Sequence, residues 1–120
     1  MVDDQIAVAM MMVFILSRAG CQAEAALNAK QALHRVHTES FDLITLDIGM
    51  RGLDGLALFL RLKELPQLRE TPVIFVTGQA TVEDRQRALE IGAADFIQKP
   101  FDAIEFVSRV LSLMEETAPT

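Results

Sequence analysis

Two short apolar runs, Phe41 to Asp47 (FDLITLD) and Pro72 to Thr77 (PVIFVT), restrict the folds open to this chain more than any other feature. Both are rich in Val, Ile and Leu, and neither shows the polar alternation of a strand with one wet face. Each therefore reads as a parallel strand buried on both faces, and each stops at a polar residue. A third run, Ala94 to Gln98 (ADFIQ), leads into Lys99-Pro100, and a weaker one, Cys21 to Ala26, follows the turn signal at Gly20. That gives four strands plus whatever Met1 and Val2 supply.

Helical spacing fills the intervals. A first helix is expected from Gln5 to Ala19, and in a second Ala32, Leu33 and Val36 share a face. Leu56, Leu58, Phe59, Leu62 and Leu65 follow Gly55 and stop before Pro66, where a helix has to end. Thr81 heads another helix, with Glu83 and Asp84 in its first turn and Gly92 closing it. A last helix, from about Asp102 to Glu116, carries Ile104, Val107, Val110, Leu111 and Met114 at helical spacing. Strands alternating with helices imply right-handed crossovers and a doubly wound parallel sheet with helices on both faces.

With 120 residues and no Gly/Ser/Pro-rich stretch to act as a linker, the chain reads as one domain over 1–120, in which 117–120 is a tail or the start of a linker. A net charge of -6 argues against direct nucleic-acid binding, which needs clustered Lys and Arg. The single cysteine, Cys21, excludes an internal disulfide and fits a reducing, cytoplasmic setting. The apolar run from Ile6 to Leu16 is too short to span a bilayer, and Asp3 and Asp4 precede it where a targeting signal has basic residues. Neither a membrane helix nor a signal peptide is expected.

In a doubly wound sheet the ligand site lies beyond the carboxyl ends of the strands. The residues at those ends are Asp3, Asp4, Asp47, Thr77 and Lys99. Three carboxylates meeting in one crevice repel unless a cation joins them, and an all-oxygen donor set favours Mg²⁺ over a transition metal. A hydroxyl and an ammonium beside that ion make a place for a phosphoryl group.

The acidic pair Asp3-Asp4, the segment LDIGMRGLDG with Asp47, the VTG at Val76 to Gly78, and GAADFIQKPF ending in Lys99-Pro100 together resemble the receiver domain of response regulators in two-component signal transduction. The resemblance covers essentially the whole chain, in the family's order and spacing. It implies a flavodoxin-like five-stranded sheet of order 2-1-3-4-5, here with its first strand truncated. It also implies a cytoplasmic switch in a phosphorelay, not a metabolic enzyme, carrying an aspartyl phosphate on Asp47. Asp4 would be a direct Mg²⁺ ligand and Asp3 an outer one through water, with Asp47 and the Gly49 carbonyl completing the protein's share. Lys99 would pair with a phosphoryl oxygen while Thr77 donates a hydrogen bond to another. Phe96 matches the aromatic position that turns inward on switching, and the Lys99-Pro100 peptide is expected to be cis. The implied partners are a sensor histidine kinase or phosphotransfer protein and an output domain or protein. A homodimer through the first helix or the last two strand-helix units is a further implied arrangement.

Two other readings compete. A hydrolase of the haloacid-dehalogenase type also uses an Asp nucleophile, Mg²⁺ and a Lys, but needs an acid/base Asp two residues after the nucleophile, where this chain has Gly49. A degenerate receiver that binds partners without phosphorylation is opposed by the intact Asp4, Asp47, Thr77 and Lys99. His34 and His37, three apart on the second helix, read as a solvated face.

Three departures from the family pattern carry expectations. Arg51 replaces a common proline between Gly49 and Gly52, so the loop after Asp47 should be open and the phosphorylated state short-lived. Only Met1 and Val2 precede Asp3, so the first strand should be very short, its lost pairing offset by packing or oligomerisation. The stretch AVAMMMVFIL is apolar all round, so its outer side should meet a partner or be buried.

Overall fold

The computed structural model describes residues 1–48, 55–78, 81–99 and 101–117, with side chains to Glu115. Its three regular strands are β1 (Ile44–Leu46), β2 (Val73–Thr77) and β3 (Asp95–Gln98). They pair in parallel in the order β1-β2-β3, with Leu46 opposite Phe75 and Phe75 opposite Phe96. Five helices accompany them, α1 (Ile6–Arg18), α2 (Ala29–Thr38), α3 (Gly55–Lys63), α4 (Val82–Glu90) and α5 (Ala103–Thr117), and parallel neighbours require the crossovers that α3 and α4 supply. A 3₁₀ turn at Pro66–Leu68 follows α3, as Pro66 demands.

The pleat sorts the strand side chains into two cores. Ile44, Leu46, Val73, Phe75 and Phe96 face α2 and α3, with Ala88 of α4 at their edge. Ile74, Val76 and Ile97 face Met12 and Leu16 of α1 and Phe106 and Val110 of α5. A sheet covered on both sides follows from strands that are apolar at consecutive positions. Phe75 lies at the centre, its ring centroid 5.6 Å from that of Phe59 and 6.5 Å from that of Phe96.

Local chemistry sets the helix ends. Asn28 accepts the Gln31 N–H at the start of α2, and Thr81 and Asp84 form a reciprocal capping box at the start of α4. Asp102 accepts the N–H groups of Ile104 and Glu105 at α5. Gly20 and Gly92, at φ 95° and 111°, end α1 and α4 in a conformation that costs a side-chain-bearing residue energy.

The strands are shorter than their apolar runs. Of the expected five positions in the sheet, three form a continuous ladder. The first and second are single bridges: Val2 pairs in parallel with Ala26 on one side and with Leu46 on the other. Cys21 to Ala26 is thus no regular strand but contributes one bridging residue, Ala26.

Two helices also depart from the pattern read from spacing. In α5 the sheet selects the face carrying Phe106 and Val110, which are buried, and Ile104 (82% exposed) and Leu111 point away. The helix has more apolar residues than one stripe can hold, and the largest ring takes the core. In α1, Ala9, Met12 and Leu16 are buried while Ile6, Met10, Met11 and Phe14 are exposed. Its outer side is therefore largely exposed among the described residues, with Arg18 over the Phe14 ring. Gly49, Arg51, Gly52 and Pro100 lie outside the described residues, and so do the expected carbonyl ligand, the open loop and the cis peptide.

Candidate functional site

Parallel strands bring their carboxyl ends to one edge, and the polar residues that stop the apolar runs meet there. Asp47 follows β1 directly, Thr77 ends β2, and Lys99 follows β3, its N–H donating to the Thr77 carbonyl at 2.9 Å. Asp3 and Asp4 arrive from the Val2 bridge. The Val2 N–H donates to the Thr45 carbonyl (2.8 Å), and the Asp47 N–H donates to the Val2 carbonyl (3.0 Å). With the Asp3 N–H donating to the Ala26 carbonyl (3.1 Å) on the other side, these bonds set the acidic pair beside Asp47.

Asp3, Asp4 and Asp47 each place a carboxylate oxygen within 4.8 Å of the others. Lys99 Nζ donates to Asp3 Oδ2 at 2.6 Å and to Asp47 Oδ2 at 3.4 Å. The second oxygen of Asp3 accepts the Gln5 N–H at 2.9 Å. Asp3, Asp47 and Thr77 are buried; Asp4 is half-buried and sits nearer the surface. Asp3 is thus committed on both oxygens to protein donors, which leaves Asp4 the more accessible of the pair.

Three carboxylates and one ammonium leave these four side chains with two surplus negative charges. At an effective dielectric of 20, each ionised carboxylate pair at this spacing repels by about 3.5 kcal/mol. A divalent cation removes that repulsion, and an all-oxygen set within 4.8 Å matches a hard ion such as Mg²⁺. The donor set fits the group that the sequence implies.

One residue beyond the expected set belongs to this arrangement. Gly55, at the start of α3, is buried, and its N–H donates to the Ile48 carbonyl at 3.0 Å. A Cβ at Gly55 would lie 2.2 Å from the Asp47 carbonyl oxygen and 2.7 Å from the Ile48 Cα. Only hydrogen fits between α3 and the backbone that carries Asp47. The Gly at the end of LDIGMRGLDG, just ahead of an apolar helix, is the sequence signal for such an approach. Phe96 is buried against Phe75 in the core. His34 and His37 are exposed on α2, away from the carboxylates, and His37 Nδ1 lies 2.6 Å from the Leu33 carbonyl.

Residues 1–111 match the sequence model of the response regulator receiver domain. The chain is similar to the transcriptional activator protein IrlR of Burkholderia pseudomallei (strain 1026b), with 40% identity over 99 residues, 82% of this chain and 42% of the relative. It is 34% identical over 118 residues to the phosphate regulon transcriptional regulatory protein PhoB of Escherichia coli (strain K12), covering 98% of this chain and 52% of that one. It spans about half the length of the curated relatives it matches. Among solved structures, the receiver domain of NtrX from Brucella abortus superposes with a TM-score of 0.86 at 35% identity, covering 95% of each chain.

Proposed function

We propose, given that this chain belongs to the response regulator receiver domain family, that it is a working phospho-acceptor: Asp47 takes a phosphoryl group from a phosphohistidine donor. The observation that supports this best is the buried Asp47 carboxylate with Asp3 and Asp4 within 4.8 Å and the Lys99 ammonium at 3.4 Å. That is a nucleophile, a cation-binding pair and a positive charge together at the carboxyl edge of the sheet.

In the reaction, an Asp47 oxygen attacks phosphorus, the P–N bond to the donor imidazole breaks with its electron pair leaving on nitrogen, and an acyl phosphate forms. Mg²⁺ held by Asp4, Asp47 and the Gly49 carbonyl, with Asp3 outside them through water, would neutralise charge on the entering phosphoryl group. Lys99 leaves Asp47 and pairs with a phosphoryl oxygen, while Thr77 donates its hydroxyl to another. The Thr77 shift and the inward Phe96 ring relay the change to the last two strand-helix units, where an output domain or protein reads it. The bridges from Val2 to Ala26 and to Leu46, beside the ladder β1-β2-β3, support a 2-1-3-4-5 order of five positions.

The donor's docking surface includes α1. Ile6, Met10 and Phe14 are exposed at successive turns, and Ile6 follows Asp4 by two residues, so the stripe leads into the site.

Incubation with acetyl phosphate and Mg²⁺ tests the reading. The expected result is one phosphoryl group per chain, at least about 100-fold less in Asp47→Asn, and none in EDTA. No uptake by the unmodified chain points to a partner-binding domain without phosphorylation. Many turnovers of a phosphate ester point to a hydrolase.

A further inference from the structure

The run Met10-Met11-Met12 is divided by the helix that carries it. Successive residues of an α-helix point about 100° apart, so the sheet can take only one of the three. It takes Met12, which is buried in the core with Leu16, Ile74 and Phe106. Met10 and Met11 face outward, 49% and 47% exposed. Met10 stands in the middle of the ridge Ile6, Met10, Phe14 and Arg18, each four residues from the next, and Met11 flanks it. The Arg18 guanidinium lies over the Phe14 ring, 5.7 Å from its centroid, and is the only charge on the ridge.

Leu or Ile at positions 10 and 11 would make the same ridge apolar. What methionine adds is a thioether sulfur that a two-electron oxidant can attack, and Ile6 and Phe14 offer nothing of that kind. Half-exposure on a helix surface leaves both sulfurs within reach of a small oxidant, whereas burial shields that of Met12.

We infer that Met10 and Met11 are an oxidation site through which peroxide weakens docking of the phosphohistidine donor on α1. The inference rests on the donor-docking reading of that helix and adds its regulation. In the step, a thioether lone pair attacks one oxygen of hydrogen peroxide, the O–O bond breaks as the S–O bond forms, and the other oxygen leaves as water after a proton transfer. Sulfur loses two electrons and the peroxide gains them. The sulfoxide sets a strong hydrogen-bond acceptor in the middle of an apolar ridge, where a docked surface has to bury it without a donor. The fold survives because the methionine in the core is the shielded one. Asp47 and Lys99 are untouched, so a small phosphoryl donor still reacts. Methionine sulfoxide reductases reverse the change.

The test treats the chain with hydrogen peroxide and compares each preparation with its own untreated half. The double variant Met10→Leu/Met11→Leu is treated alongside; it keeps Cys21 and every other methionine, so a difference between the two belongs to positions 10 and 11. Peptide mass spectrometry is expected to show an added oxygen on Met10 and Met11 at least about tenfold sooner than on Met12. The protein donor is an autophosphorylated histidine kinase core, chosen as the fastest of a purified panel. Its transfer rate, relative to uptake from acetyl phosphate, should fall at least about fivefold on oxidation and recover with methionine sulfoxide reductase. The double variant should lose less than about twofold. An equal loss in the double variant, or equally fast oxidation of Met12, overturns the proposal. Unchanged transfer to a chain oxidised at both positions, with Phe14→Ser still slowing it, overturns this inference alone. Unchanged transfer in both cases overturns the docking reading and this inference with it.

Discussion

Two lysines at opposite edges of the sheet show how differently one side chain is used. At the carboxyl edge, the Lys99 ammonium meets the carboxylates of Asp3 and Asp47, in a cluster where negative charge is in excess. At the amino edge, Lys63 ends α3 and donates to the carbonyls of Leu68, Arg69 and Thr71, tying down the turn that feeds β2. Its partners are neutral and already in place, and no ion is needed to balance them. Lys99 holds a poised charge imbalance; Lys63 closes a loop. The carboxyl edge concentrates buried charge, and the amino edge ties down a turn.

Substitutions should separate the two edges in graded steps. Lys99→Met should have the largest effect, about 3 kcal/mol of lost stability by urea denaturation in EDTA, because buried carboxylates lose their counter-charge. Millimolar Mg²⁺ should restore more than half of it, a recovery that no substitution at the amino edge should share. If Mg²⁺ restores nothing, the cluster is not a cation site.

Next comes Gly55→Ala, at about 2–3 kcal/mol, because the added methyl meets backbone, which cannot rotate aside. Uptake from acetyl phosphate, measured well below the variant's Tm, should also slow, since the displaced carbonyl belongs to Asp47. A normal rate in a destabilised Gly55→Ala would assign this glycine to packing alone.

Lys63→Met should cost about 1 kcal/mol and leave uptake unchanged. Burial lowers the Lys63 pKa below 10.5, with Glu70 opposing the shift. The unfolded chain then binds the proton more tightly, so this residue's contribution rises as pH climbs through the window between its folded value and 10.5. The methionine variant should lack that alkaline rise in a stability profile.

Smallest of all, Phe14→Ser should move stability by less than about 0.5 kcal/mol, since the residue is 60% exposed. It should slow transfer from a phosphohistidine donor while leaving acetyl phosphate uptake untouched. Equal rates with both donors would remove α1 from the docking surface.

Much of the carboxyl edge was legible in the residues themselves. FDLITLD and PVIFVT are apolar at consecutive positions, which requires a sheet covered on both faces, and parallel strands must deliver Asp47, Thr77 and Lys99 to one edge. Thr81 with Asp84 and Gly92 with its positive φ ended α4 as their local chemistry dictates. These features depend on near neighbours and on periodicity, so a linear reading can reach them.

Other features depend on what lies across space, and only the folded chain decided them. Spacing put Ile104 and Leu111 with Val110 on the last helix, but the sheet took the side bearing Phe106. The closeness of Gly55 to the Asp47 carbonyl has no trace in helix or strand propensity, because it is a distance between two backbones. Two residues ahead of Asp3 gave little promise of a strand, yet Val2 bridges both neighbours, since flanking ladders can order a single residue that alone would have no structure. The sequence thus determined which residues could do chemistry and at which edge they would meet. Packing determined how closely they meet, because distances between elements are set by side chains far apart in the chain.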